Sequence, residues 1–150
     1  MTRHKLTLSV QYADRRLAAV LSRPDIRRWV KAAQFAPAEL VVRFVNQDEG
    51  RQLNRDYRGK DYATNVLTFT YNDSDQGEPG DVVRADIVLC VDVVLREAEQ
   101  QALPVIRHAA HLIVHGVLHA QGYDHEADDE AAEMEALEAE ILAALGMAQT

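Results

Sequence analysis

Hydrophobic and polar positions alternate over Lys5–Tyr12, with Leu6, Leu8, Val10 and Tyr12 on one side, the period of a half-buried strand. The period then changes. From Pro24, a favoured first helical position, Ile26, Trp29, Val30 and Ala33 recur at helical spacing. Glu39–Asn46 returns to alternation, Leu40, Val42 and Phe44 facing one way, and Asp48–Tyr57 reads as a short polar helix ending near Gly59. Strand patterns follow at Asn65–Tyr71 and Val83–Val91. Between them, residues 72–81 are rich in Asn, Asp, Ser, Gly and Pro and read as a mobile loop.

After Val91 the pattern is helical to the end, broken at Pro104 and Gly122. Asp92 or its neighbour caps a helix to about Ala102, a second, apolar helix runs from about Val105 to Ala120, and a third from about Asp128 to Ala144. In the last, Met134, Leu137, Ile141 and Leu145 form an apolar stripe on a strongly acidic helix, the pattern of a docked surface helix. Four strands interspersed with helices, then a helical second half, predict an α+β fold with a small mixed four-stranded sheet packed with helices.

Composition narrows the class. A chain of 150 residues, 47% hydrophobic and 27% charged, has the length of one domain, 1–150, and the make-up of a globular protein. Its one cysteine, Cys90, cannot close an intramolecular disulfide. The N-terminus lacks the apolar run of a signal peptide, and the most apolar stretch, Leu103–Gly122, carries Arg107 and four histidines, so no membrane span is expected and a cytoplasmic location is. The net charge of −8 is unevenly spread: residues 1–60 hold 13 Lys/Arg against 6 Asp/Glu, a balance of +7, and residues 61–150 hold 3 against 18, a balance of −15. Unless the two parts interleave in space, that makes a dipolar surface suited to an anionic partner.

Five of the six histidines fall within 18 residues: His108, His111, His115, His119 and His125. On a helix, His115 and His119 lie one turn apart and point the same way, within reach of one metal at about 2.0–2.1 Å each. Gly122, able to adopt the left-handed conformation of a helix end, lets the chain turn back and present His125. His111 and His119 are roughly 12 Å apart along the helix axis, too far for one ion, and the pair 111/115 has no third candidate in sequence. His108 and His111 are therefore assigned supporting roles.

Three neutral histidines leave an open coordination position, the mark of a catalytic site. Zinc in such a site acidifies water toward a pKa of ~7 and polarises a carbonyl or phosphoryl oxygen. The spacing matches the extended zinc-protease motif H-E-x-x-H-x-x-G-x-x-H, giving a zincin-like helix followed by a glycine turn. The glutamate is missing, however: its position is Gly116, so the protease reading is the alternative rather than the first choice. The glycine is read as clearing space for a bulky substrate group. Asp124 and a metal-held hydroxide both remain open as the base.

The run His115-Gly116-Val117-Leu118-His119-Ala120-Gln121-Gly122-Tyr123-Asp124-His125 resembles the H-G-x-L-H-x-x-G-Y-D-H signature of the YbeY family of bacterial metal-dependent endoribonucleases. Leu53-Asn54-Arg55-Asp56-Tyr57-Arg58 resembles that family's L-N-x-x-Y-R element, and Thr64-Asn65-Val66-Leu67-Thr68-Phe69 its T-[DN]-V-L-S-F element, while Asp86-Ile87 fits its G-D-I strand. The resemblance spans about residues 40–145. Ala63, Thr68 and Ala85 depart from the family's proline, serine and glycine, and none of these touches a histidine or Arg58.

The resemblance implies a single-strand-specific, zinc-dependent endoribonuclease acting in rRNA maturation, 16S rRNA processing included, and in ribosome quality control. One zinc ion, or another divalent transition metal, is expected per chain on His115, His119 and His125. Arg58 inherits a catalytic role. The physical case for it is separate: a guanidinium donates two hydrogen bonds to a phosphoryl group that gains negative charge. Arg55 and Lys60 are weaker candidates for backbone contacts, and the sequence has no aromatic-interleaved RNA-reading motif. The expected partners are single-stranded RNA, the ribosome and ribosome-associated proteins, not DNA and not a membrane. The charge of −8 predicts weak affinity for naked RNA. A non-catalytic ribosome assembly factor, with a structural histidine site, is the third reading.

Overall fold

The alternating segments pair into one four-stranded sheet: β1 (Leu6–Tyr12), β2 (Ala38–Val45), β3 (Val66–Thr70) and β4 (Val83–Cys90), in the order β1-β2-β4-β3. The first three in that order run parallel and β3 runs antiparallel to β4, which leaves β3 on an edge. The computed structural model describes residues 4–71, 82–123 and 127–147. The predicted loop 72–81, and Asp124 with the expected ligand His125, lie outside the described residues.

Among the described residues five helices accompany the sheet: α1 (Arg23–Ala33), α2 (Gln47–Arg58), α3 (Val91–Gln100), α4 (Val105–Ala120) and α5 (Asp128–Ala144). The mixed α+β architecture read from the pattern is present. Sheet residues Val42, Phe44, Ile87 and Leu89 meet Ile26 and Trp29 of α1 and Ile113 and Val117 of α4 in the main core. On the opposite face Val45, Leu67 and Val88 pack with Leu53 of α2 and with Phe69. The basic first part and acidic second part interleave, since β2 pairs with β4 and α1 packs on α4.

Local chemistry explains most helix ends. The Ser22 hydroxyl accepts the Asp25 N–H at 3.2 Å to start α1, and α2 ends at Gly59 as the pattern predicted, with that glycine in the left-handed conformation at φ +70°. Asp92 does not cap α3. That helix begins at Val91 with no side-chain cap, because the Asp92 carboxylate is taken by the Gln47 N–H at 2.8 Å and by Arg16 at 2.8 Å. On α5 the stripe also differs: Met134, Glu138, Ile141 and Leu142 are buried, while Leu137 and Leu145 are half-buried.

Helix α4 is the centre. It touches α1, α3, α5, β3 and β4, which accounts for its apolar composition on nearly every face. No described helix is long and apolar enough to cross a membrane. Gly116 is buried where α4 crosses the sheet, and a Cβ placed on it would lie 2.8 Å from Ile87 Cγ2 and 3.3 Å from Thr68 Oγ1. The missing side chain therefore lets helix and sheet touch; it does not open room for substrate, as the sequence reading had it.

That contact sets a stability test. Gly116→Ala gains helix propensity but overpacks a fully buried isoleucine, so a net loss of about 1–2 kcal/mol is expected in urea denaturation. A midpoint at or above that of the unsubstituted protein would show that the helix can back away from the sheet at no cost.

Candidate metal centre

His115 and His119 project from one side of α4 with their rings almost parallel, 4° apart, and their centroids separated by 6.4 Å. Each is oriented through Nδ1. His115 Nδ1 lies 2.6 Å from Glu138 Oε2, and His119 Nδ1 lies 3.1 Å from the Tyr123 carbonyl oxygen. A carboxylate and a carbonyl only accept, so both rings donate from Nδ1 and, when neutral, carry the lone pair on Nε2. Two imidazoles with that tautomer fixed and facing the same way suit a divalent transition metal.

Glu138 is 5% exposed and also accepts from His111 Nε2 at 2.9 Å. Burial alone would raise its carboxyl, but the hydrogen bonds and charges of His111 and His115 outweigh that and hold it at about 2. His111 thereby has the opposite tautomer to its neighbour, with its proton on Nε2. The sequence reading missed Glu138 among the acids of α5. The available signal was its spacing: it lies four residues after Met134 and three before Ile141, on the buried stripe itself.

The end of α4 is shaped by hydrogen bonds. Gly122, at φ +103°, donates to the His119 carbonyl at 3.0 Å, and the Tyr123 N–H reaches back to Leu118 O at 3.2 Å. This turn brings the Tyr123 carbonyl to His119. Gln121 ties it to the end of α1, donating to Ala33 O at 2.7 Å and accepting from the Phe35 N–H at 2.6 Å. The glycine turn predicted from sequence is thus present as far as Tyr123. Because His125 lies beyond the described residues, no group of three metal-binding side chains is assembled among those that are described.

His108 belongs to a separate network. It is 3% exposed, and its Nε2 lies 2.9 Å from Glu97 Oε1, which also accepts from Asn65 Nδ2 at 3.0 Å. Asn65 in turn accepts the Val66 N–H on its side chain at 2.7 Å and the Cys90 N–H on its carbonyl at 3.1 Å. His108 therefore supports the start of β3. Glu97 was also missed by the sequence reading, and it too follows the buried Val93 and Val94 of α3 at helical spacing.

Arg58 comes to the same place from the other side of the sheet. It closes α2, where Gly59 donates to Arg55 O at 3.0 Å, and the segment beyond is held by Asn54 Nδ2 on Tyr62 O at 2.7 Å. Arg51 pairs with Asp61 at 2.8 Å and Arg55 lies 3.9 Å from the same carboxylate, whereas Arg58 makes no ion pair among the described residues. A cleft of about 520 Å³ is lined by Arg58, His115 and His119, together with Tyr57, residues 66–70 of β3 and Tyr71. The edge strand divides it. Thr68 faces Gly116 of α4, while Leu67 and Phe69 face α2.

Comparison with known proteins covers nearly the whole chain. The sequence model of the family described as Endoribonuclease YbeY matches residues 9–146, reaching into β1 and α1, which the motifs alone did not. The chain is 64% identical over 148 residues to the Endoribonuclease YbeY of Herminiimonas arsenicoxydans, covering 97% of this chain and 95% of that protein. It is 60% identical over 146 residues to that of Janthinobacterium sp. (strain Marseille), covering 97% and 94%. The solution structure of TM1509 from Thermotoga maritima has the same fold, with a TM-score of 0.56 at 22% identity over 93% of this chain and 92% of that one.

Glu138→Gln isolates the shared carboxylate. The two imidazoles bond different carboxylate oxygens and the amide keeps an acceptor at only one of those positions, so a loss of about 2 kcal/mol in unfolding free energy is expected without metal. Zinc affinity, measured by competition with a chromophoric chelator, should weaken about 10–100-fold. Unchanged affinity would detach Glu138 from metal binding.

Proposed function

The chain belongs to the YbeY endoribonuclease family, and from that premise we propose that it cuts single-stranded RNA at the cleft shared by Arg58, His115 and His119. It is an enzyme, a hydrolase of RNA phosphodiester bonds. The observation that carries the site assignment is the convergence, on one cleft, of a cation from the end of α2 and two oriented imidazoles from α4.

His115, His119 and His125 would hold one zinc ion, which supplies Lewis acidity toward a phosphoryl oxygen and makes water more acidic. The chain's own groups do the rest. Glu138 and the Tyr123 carbonyl hold the two imidazole protons on Nδ1 and fix the ring orientation. Arg58, at the rim of the cleft, donates two hydrogen bonds to the phosphoryl oxygens as their charge grows. Its position in the last turn of α2 is favoured by the helix dipole, so the guanidinium is placed there at no cost to the helix.

The biological substrate is rRNA, with 16S processing and ribosome quality control as the setting and the cytoplasm as the compartment. Ribosome-associated proteins compensate for the weak attraction between RNA and a chain of net charge −8. The protease alternative gains no support, because the position of a protease's glutamate is Gly116, packed on Ile87.

The test is cleavage of an end-labelled unstructured RNA by zinc-loaded protein beside folded His119→Ala and Arg58→Ala variants purified identically. Wild type should cut, chelation should stop it and zinc restore it, and Arg58→Ala should be slower by about 10²–10³. Equal cutting by all three proteins would overturn the assignment. A product ending in a 2′,3′-cyclic phosphate would assign the attack to the RNA's own 2′-OH instead of water.

A further inference from the structure

The cleft carries more aromatic surface than a metal and an arginine need in order to cleave a phosphodiester. Tyr57, Phe69 and Tyr71 line it beside Arg58. Tyr57 is 69% exposed and Tyr71 58%, more than Val20 or Phe35 at 49% or Tyr62 at 55%. Scattered apolar side chains at a surface call for no explanation, but rings gathered at a cation do.

These rings are held in place. The Tyr57 ring lies 4.7 Å from Phe69 at a 55° tilt, and Phe69 is itself packed against the small cluster of Val45, Leu67 and Val88. Such tilted pairs are the favoured aromatic geometry, so Phe69 fixes Tyr57 without covering it. Tyr71 donates its hydroxyl to Asp86 Oδ2 at 2.7 Å and its N–H to Arg84 O at 2.9 Å. The Asp86 hydrogen bond, with burial and charge, pushes the phenol up to about 12, so it stays a neutral donor.

Their placement is one-sided. Phe69 and Tyr71 alternate onto the face of β3 that meets α2, where Tyr57 also lies, while the histidines stand on the α4 face with Thr68. A strand of RNA crossing the β3 edge would meet rings on one side and imidazoles on the other. Tyr57 and Arg58 both line the cleft, so a ring and a guanidinium are presented to the same space.

We propose that Tyr57, backed by Phe69, is a stacking platform for an unpaired nucleobase adjoining the phosphate that Arg58 contacts. This rests on the cleft being the RNA-cleaving site. Every base has a π-face, so the platform tolerates any sequence. In a duplex both faces of each base are occupied by its neighbours, so the same platform selects single strands. Tyr57 is thus a specificity-determining residue, and it acts by binding rather than on the reacting bond.

The test uses the zinc-loaded full chain and a short unstructured RNA carrying one 2-aminopurine, whose fluorescence is quenched by stacking. Stopped-flow mixing reads the quench before product accumulates, and initial rates on the same strand give KM and kcat. Wild type and Tyr57→Phe should quench alike. Tyr57→Leu should lose the quench and raise KM at least about fivefold, with the greater part of the effect in KM. Tyr57 is too exposed for either variant to endanger folding, and circular dichroism checks it. An unchanged quench and KM in Tyr57→Leu would overturn the platform while leaving the nuclease reading intact. A Tyr57-dependent quench without cleavage by any protein would do the reverse. Equal binding of the same sequence as a duplex would overturn the selection of single strands.

Discussion

A helix enclosed by five other elements has to seat four imidazoles, and each ring needs an acceptor in place of the water it gives up. That requirement organises this protein. His108 finds Glu97 on α3, His111 and His115 share Glu138 on α5, and His119 takes the carbonyl of Tyr123 after the glycine turn. Each partner comes from a different element, so satisfying the rings also fixes how α3, α5 and the turn sit on α4. Around the buried carboxylate of Glu138 and the buried ring of His108 such bonds are costly to break, which gives them authority over packing. The same bonds set the tautomers of His115 and His119, with the proton on Nδ1 of each ring.

What was legible in the sequence was whatever depends on neighbours along the chain. Strand patterns located the four described strands, and helical spacing with Pro24, Gly59 and Gly122 marked most helix limits. The histidine spacing placed His115 and His119 on one side of one helix. Contacts across elements were not legible. Asp92 sits where a cap is expected, yet its carboxylate goes to Arg16 and to the start of α2. Gly116 reads as open space beside a metal and is instead the point where helix meets sheet. Glu138 and Glu97 are acids in acidic helices, and only their place on buried stripes sets them apart.

The aromatic cluster was illegible for the same reason. Tyr57, Phe69 and Tyr71 form no interleaved motif, because they come from the last turn of one helix and from a strand beyond an intervening loop. Arg58 has a similar history: along the chain it is one basic residue among many, and its distinction is that its neighbours Arg51 and Arg55 lie beside Asp61 while it faces the cleft. The fold thus assembles a cleft from two faces of a sheet that the pattern of apolar positions can only assign to separate layers.

All of this is arranged around β3, and its position at the sheet edge has a further consequence. An open edge presents a row of backbone donors and acceptors that another chain can pair with, the common route to strand-mediated aggregation. Residues 66–70 line the cleft, and among the described residues no helix follows β3 to cover that edge. The protection left is brevity and composition: β3 is only five residues long and contains two threonines, which offers few ladder bonds to an intruding strand. The openness of the cleft and resistance to self-association are therefore set by the same five residues, and lengthening β3 would stiffen the sheet at the expense of solubility.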